Sequence, residues 1–332
     1  MVPSVKWSPA KTANEAVEIK ERRVARLKRS NRWVWLGLVP FLLMVLMFQF
    51  IPIVSMLTGS LKPAEGAGIS FGFYERILKS AYYLQAIKNS LLISAASSAI
   101  GIAVGLVCAY AVTRFPFKTR DRLLMLSNMT SNFAGVPLAF AYIILLGSNG
   151  VFTLLFKQWG LDIFGGFDLY SWSGLVLVYV YFQVPLALLL LYPSFYGIRD
   201  QWREAASLLG ASRWQFWATI GVPVLSPAVF GTLGILFANA MGAYATAYAL
   251  VGGNYNLLAV RIGSLVSGDV VNQPQLGNAL AIILALSTLL AVFLNHLMTK
   301  RSQLLHTASP AKPVRRSRRM PVPRSVGAKE EL

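Results

Sequence analysis

Residues 171–223 read SWSGLVLVYVYFQVPLALLLLYPSFYGIRDQWREAASLLGASRWQFWATIGVP: an uncharged apolar run, a short basic stretch with small residues, and the start of a second apolar run. A helix needs about 20 mostly apolar residues to cross the hydrocarbon core of a bilayer, and a charge at its centre is costly. Residues 171–197 reach that length with no Asp, Glu, Lys or Arg. Five more runs of this kind occupy 33–58, 89–113, 123–147, 223–250 and 277–299, none of them charged. The expected fold is therefore an all-α membrane protein with six transmembrane helices. The composition agrees, with 55% apolar and 13% charged residues against about 25% charged in soluble domains. The first run exceeds the 7–15 residues of a signal-peptide core and is followed by five more, so it reads as an uncleaved anchor.

Positive residues near span ends stay on the cytoplasmic side, and here they are distributed unevenly. Residues 1–32 carry nine Lys and Arg, the 114–122 loop four, the 198–222 loop three and the segment from Lys300 nine. The alternate loops share six: Lys62, Arg76, Lys79, Lys88, Lys157 and Arg261. Both termini are expected to be cytoplasmic. The domain plan is a basic N-terminal extension at 1–32, a six-helix domain at 33–299 with the 198–222 loop facing the cytoplasm, and a basic, disordered tail at 300–332. The extension mixes Glu15, Glu18 and Glu21 with six basic residues between Lys20 and Arg29 at helical spacing and reads first as a solvated helical extension that fixes topology, with a place on the anionic inner leaflet as the alternative. The formal net charge of +18 does not indicate a nucleic-acid partner, because the basic residues gather at the two ends instead of punctuating the folded part. One cysteine, Cys108, and two separated histidines, His296 and His306, build neither a disulfide framework nor a metal cluster.

The loop at 199–223 reads as two short helices. Asp200 is expected to cap the first, placing Trp202, Ala205, Ala206 and Leu209 on one face, with Gly210 ending it. Ser212 and Gln215 form a capping box for the second, and Pro223 suits the first turn of the next span. This segment resembles the EAA loop of binding-protein-dependent ABC importer permeases: Glu204, Ala205, Ala206, Gly210, Ile220 and Pro223 stand at the family's spacing, and Val222 replaces a leucine. The likeness extends from the first span to about Arg301 and includes an Asn-Ser-Leu-Leu stretch at 89–92 opening span two. Residues 243–250 bring the spermidine/putrescine-type permeases nearest.

The resemblance implies the permease fold of type I importers in a bacterial inner membrane. It also implies that the loop docks on separate ABC ATPase subunits, which hold the ATP and magnesium. A second permease subunit, most simply in a heterodimer, and a periplasmic solute-binding protein docking on outer loops 59–88 and 251–276 complete the expected assembly. The chain itself is expected to hold no cofactor or metal and to be no enzyme. It contains no Gly-x-x-x-x-Gly-Lys-Ser/Thr phosphate loop, and its expected spans offer no ionisable constellation for catalysis. A secondary transporter is the first rival reading, but no acid lies in any span. A non-transporting scaffold is the second. Pathway candidates are Asn128 and Asn132, with Ser127, Thr130 and Ser131 beside them, and Asn239. Tyr179, Tyr181, Tyr244 and Tyr248 could offer ring faces to a polyamine or another small organic solute. Each has a plain alternative as a helix–helix hydrogen bond or an interfacial aromatic.

Overall fold

A computed structural model describes residues 37–63, 68–160, 167–267 and 273–307. The expected extension at 1–32, the tail beyond Thr307 and the first residues of span one lie outside the described residues. Helix α1 covers Gly37–Ser60. It is followed by α2 Gly72–Lys79, α3 Ala81–Thr113, α4 Phe117–Asn132, α5 Val136–Leu146, α6 Val151–Gln158, α7 Trp172–Phe195 and α8 Asp200–Leu208. Then come α9 Arg213–Met241, α10 Tyr244–Val251, α11 Leu258–Ser267 and α12 Pro274–Thr307. No strand occurs among the described residues. Six segments are long and apolar enough to cross a membrane: α1, α3, α5 with α6, α7, α9 and α12.

The number of spans matches the sequence expectation, whereas several boundaries move. The expected third span, 123–147, is interrupted. Helix α4 stops at Asn132, Gly135 takes a φ of +81°, and α5 restarts just before Pro137, whose ring disfavours helix in the residue ahead of it. The spanning segment is Val136–Gln158. The expected fifth span, 223–250, ends early: α9 stops at Met241, Ala243 leaves helical geometry at ψ 56°, and α10 begins as a separate helix. Helix α3 starts at Ala81, so Asn89–Leu92 lies inside that helix and does not open it.

Prolines are absorbed without breaking two of the spans. Leu46–Phe50 and Trp217–Gly221 are π-helical, with Ile51 N–H donating to Leu46 O and Val222 N–H to Trp217 O. In both cases a proline, Pro52 or Pro223, follows directly after the residue that closes the wide turn. Proline lacks a donor and crowds the carbonyl four residues back, and a locally wider turn accommodates it. Pro223 is therefore not at the start of a span. It sits within a continuous helix that begins at Arg213.

The chain forms two compact units. The first takes the residues up to Ile93, Ala139–Trp172 and Met241–Thr288. There, Asn256 ties the connection before α11 to α3: its amide donates to Tyr82 O at 2.7 Å, and its own carbonyl accepts from Asn89 at 3.0 Å. Leu258 N–H donates to Ser90 Oγ at 2.8 Å. Arg261 closes this clasp, donating to Asn256 Oδ1 and Gly253 O with its guanidinium 4.8 Å from the Tyr82 ring centre.

The second unit takes Ser94–Leu138, Ser173–Ala240 and the residues from Leu289. Its core joins Ala109 and Val112 of α3 to Ala187, Leu188, Leu191 and Phe195 of α7 and Leu225 and Leu236 of α9. Ser97, Gly101 and Gly105 recur every four residues on one face of α3, so small side chains bring α7 close. Gln183, fully buried, donates to Ser97 Oγ at 2.8 Å. A side chain at Gly105 would meet the Ala187 methyl and the backbone of Val184 and Leu188. Gly105→Val is expected to overpack this contact by about 1–3 kcal/mol and lower the thermal midpoint of the purified protein. Gly231→Ala, where added atoms meet nothing within 4 Å, serves as the control and should leave the midpoint in place.

Candidate functional site

The loop between the fourth and fifth spans is a pair of short helices with defined ends. Helix α8 begins at Asp200 with Arg199 in the extended N-cap position and no side-chain cap bond. Asp200 thus occupies the first helical position and does not cap, although its negative charge still favours the helix N-terminus. The other end closes as expected. Gly210 adopts φ +78°, Ala211 N–H donates to Ala206 O and Gly210 N–H to Ser207 O, a Schellman termination. At the start of α9, Ser212 accepts from Gln215 N–H and the Gln215 side chain accepts from Ser212 N–H, so the capping box is present.

This rigid element is exposed. No residue of α8 is buried. Leu208 and Leu209 are 88% exposed and Trp214 is 86% exposed, a concentration of apolar surface on a short loop that is typical of a docking surface. Glu204 is exposed and has no ion pair among the described residues. Ala206, Ile220 and Pro223 are half-buried and Ala205 is exposed. The expected apolar face of α8 is therefore real as a pattern but is not turned into this chain's own core.

The loop is anchored through aromatic residues just beyond it. Phe216 is buried, and Trp217 meets the Tyr110 ring edge-on at 5.4 Å. Tyr110 also contacts Phe195 at 6.0 Å, which joins the ends of α3 and α7 to the root of α9. Gly221 lies against the Trp217 ring, where a Cβ would collide with it. The sequence reading did not identify this anchor. Its signal was the aromatic run Trp214-Gln215-Phe216-Trp217 directly ahead of the proline-bearing span.

The pathway candidates divide between the two units. Asn128 and Asn132 lie on α4, one turn apart and exposed, with the Asn132 amide donating to Asn128 Oδ1 at 3.1 Å. Ser127, Thr130 and Ser131 donate to carbonyls of their own helix. Asn239 is exposed near the end of α9. Tyr179 is buried at 4% exposure against Phe182 and offers no open ring face. In the other unit, Tyr244 and Tyr248 stack on α10 with ring centres 5.5 Å apart and an interplanar angle of 22°. Gly263 of α11 allows the Tyr244 ring to approach closely. In neither unit do the candidates form an enclosed site among the described residues.

Six spanning segments with a capped two-helix loop between the fourth and fifth define a multi-pass helical membrane protein. Residues 101–303 match the family of binding-protein-dependent transport system inner membrane components, and the chain belongs to that family. It is similar to the sulfate transport system permease protein CysW of Escherichia coli (strain K12), 28% identical over 191 residues, which span 58% of this chain and 60% of that protein. It is also similar to the spermidine/putrescine transport system permease protein PotC of Haemophilus influenzae, 27% identical over 266 residues, 79% of this chain and 96% of that one. Among solved structures, a chain of a bacterial alginate ABC transporter in complex with alginate pentasaccharide-bound periplasmic protein shares the fold, with a TM-score of 0.67 at 18% identity, covering 84% of this chain and 98% of that chain.

Gly210 gives a direct test of the loop geometry. Space around it is open, so only its left-handed backbone resists substitution, by about 1–2 kcal/mol for most residues and less for Asn. Gly210→Asn should keep the thermal midpoint of the purified protein close to that of the wild type, and Gly210→Val should lower it while the protein still inserts.

Proposed function

We propose that this chain is the membrane-spanning permease subunit of an ATP-driven importer and that the 198–222 loop receives the motion of a separate ATPase subunit. The observation that carries this reading is the exposed, doubly capped α8–α9 junction at the position where Glu204, Ala205, Ala206 and Gly210 meet the family pattern. A short helix with small residues and apolar tips exposed beside it can seat in a groove of a partner. Glu204 then makes an ion pair with a basic group of that partner. ATP and magnesium reside on the ATPase. The loop and both termini face the cytoplasm, in keeping with the excess of Lys and Arg on that side.

A second permease subunit and a periplasmic receptor complete the assembly. Loops 59–88 and 251–276 offer the receptor its docking surface, and the clasp around Asn256 and Arg261 makes the start of the latter rigid. The relatives include permeases named for sulfate and for spermidine/putrescine, an anion and polyamine cations, so selectivity is assigned chiefly to the receptor. The stacked Tyr244–Tyr248 pair supports a small solute with a cationic or apolar part. Polyamines remain one such class.

The test is co-purification of this chain with its ATPase partner, followed by receptor-stimulated ATP hydrolysis in proteoliposomes. Glu204→Arg places a like charge against a basic partner and leaves the fold untouched. It should reduce stimulated turnover about tenfold or more. Wild-type turnover in that variant, or failure of any ATPase to associate, would count against the reading.

A further inference from the structure

A cavity of about 360 Å³ lies at the root of the loop. Its wall is made by the last turn of α3 and the residue after it (Tyr110, Thr113, Arg114), the end of α7 and the residues that follow (Phe195, Tyr196, Ile198, Arg199) and the first turns of α8 and α9. It lies wholly within the second unit. None of Glu204, Ala205, Ala206, Gly210, Ile220 and Pro223 lines it, and neither do Leu208, Leu209 and Trp214. It shares Tyr110, Arg114, Arg203, Phe216 and Trp217 with a neighbouring cavity that Glu204 and Ala206 line, so it adjoins the docking residues at the inner side of the loop.

The charge on its wall is unbalanced. Arg114, Arg199 and Arg203 line it with one carboxylate, Asp200, and the adjoining cavity that shares Arg114 and Arg203 adds Arg213 and Glu204, so the cations stay in excess. None of Arg114, Arg199 and Arg203 has an ion pair among the described residues. Arg114 is held in place, donating to Tyr110 Oη at 2.7 Å with its guanidinium 4.9 Å from that ring centre. Arg199 lies 6.0 Å from the Trp202 ring. A planar guanidinium steadied on an aromatic ring is well suited to grip a phosphate by two parallel hydrogen bonds. The depth is also informative. Thr113 and Phe195 are the last residues of two spanning helices, so the cavity sits where the apolar layer ends and headgroups begin.

The geometry points to this cavity as a binding site for an anionic phosphate group, held by Arg114, Arg199 and Arg203 against the Tyr110 and Trp217 rings. The phosphate belongs either to an anionic lipid headgroup or to a soluble phosphate compound, and the depth of the cavity favours the lipid. Because the same Tyr110 and Trp217 rings anchor the coupling loop, occupancy would stiffen the root of that loop. The proposal depends on the importer reading only for which leaflet supplies the lipid. The binding itself is measured without any ATPase.

The experiment uses the full chain purified in neutral detergent and titrated with three probes: dioctanoyl phosphatidylglycerol, dioctanoyl glycerol and inorganic phosphate. Bound lipid is counted by native mass spectrometry and thermal stabilisation is read in parallel. Phosphatidylglycerol should bind and raise the melting midpoint, and the phosphate-free diglyceride should do neither. Arg203→Gln and the Arg199→Gln/Arg203→Gln pair remove exposed side chains and leave the Tyr110–Arg114 contact intact. Each should fold normally, and the pair should bind at least about tenfold more weakly. Equal stabilisation by inorganic phosphate would support the site with a soluble source. Equal binding of the diglyceride, or full retention of phosphatidylglycerol by the double variant, would overturn the proposal. So would loss of lipid whenever the ATPase partner is bound, since the arginines would then belong to that interface.

Discussion

Inside a bilayer there is no water to receive a backbone N–H or C=O, so every peptide group in the hydrocarbon layer must find its partner within the protein. This constraint explains the all-helical described structure, and it also explains where the helices depart from regularity. Proline removes a donor, and the chain meets that loss in two spans by a single π-turn ahead of Pro52 and Pro223. Where the chain turns into the third span, the break is made with a residue that can turn sharply, Gly135 with its positive φ. Side-chain donors obey the same rule. Ser127, Thr130 and Ser131 return their hydroxyl protons to their own helix, and Gln183 finds Ser97 across the α3–α7 contact.

With hydrogen bonding confined in this way, helix association depends on how closely backbones approach. The Ser97, Gly101 and Gly105 face of α3 permits that approach against α7, and the second unit's core continues from it through Ala109 and Val112 to Leu225 and Leu236. The result is a firm base beneath a loop whose own first helix buries nothing. The loop is thus defined by its own caps at both ends of its turn while its apolar residues stay exposed.

Much of this was legible in the sequence because the governing signals are local. An uncharged run of about 20 residues reports a span, Ser212 with Gln215 reports a capped start, and Gly210 reports a stop. The breaks at 133–135 and 242–243 were not legible, since hydropathy does not register a change of backbone dihedral inside an apolar run. The placement of Asp200 was missed by one residue, because an acidic side chain is favourable both at the cap and in the first turn. The π-turn at 217–221 was hidden for a related reason: a proline near a span's start looks the same whether it begins a helix or sits one turn inside it.

The pathway candidates show a different limit, one of chemistry. A polar residue in a spanning stretch has three physical uses: bonding its own helix, bonding a neighbour, or facing a passage. Composition cannot separate them. The structure assigns Ser127, Thr130 and Ser131 to the first use and Gln183, which the sequence reading passed over, to the second. Asn128, Asn132 and Asn239 keep exposed amides, and Tyr244 and Tyr248 keep exposed rings. The Asn132 amide is partly spent within α4, donating to the Asn128 carbonyl and to Asn128 Oδ1, so exposure alone does not make a polar residue part of a passage. The same reasoning separates Arg261 from Arg114, Arg199 and Arg203. Arg261 spends its donors on Asn256 and Gly253 and stabilises a fold, whereas the three arginines around the loop's root retain donors and charge that the described residues do not match.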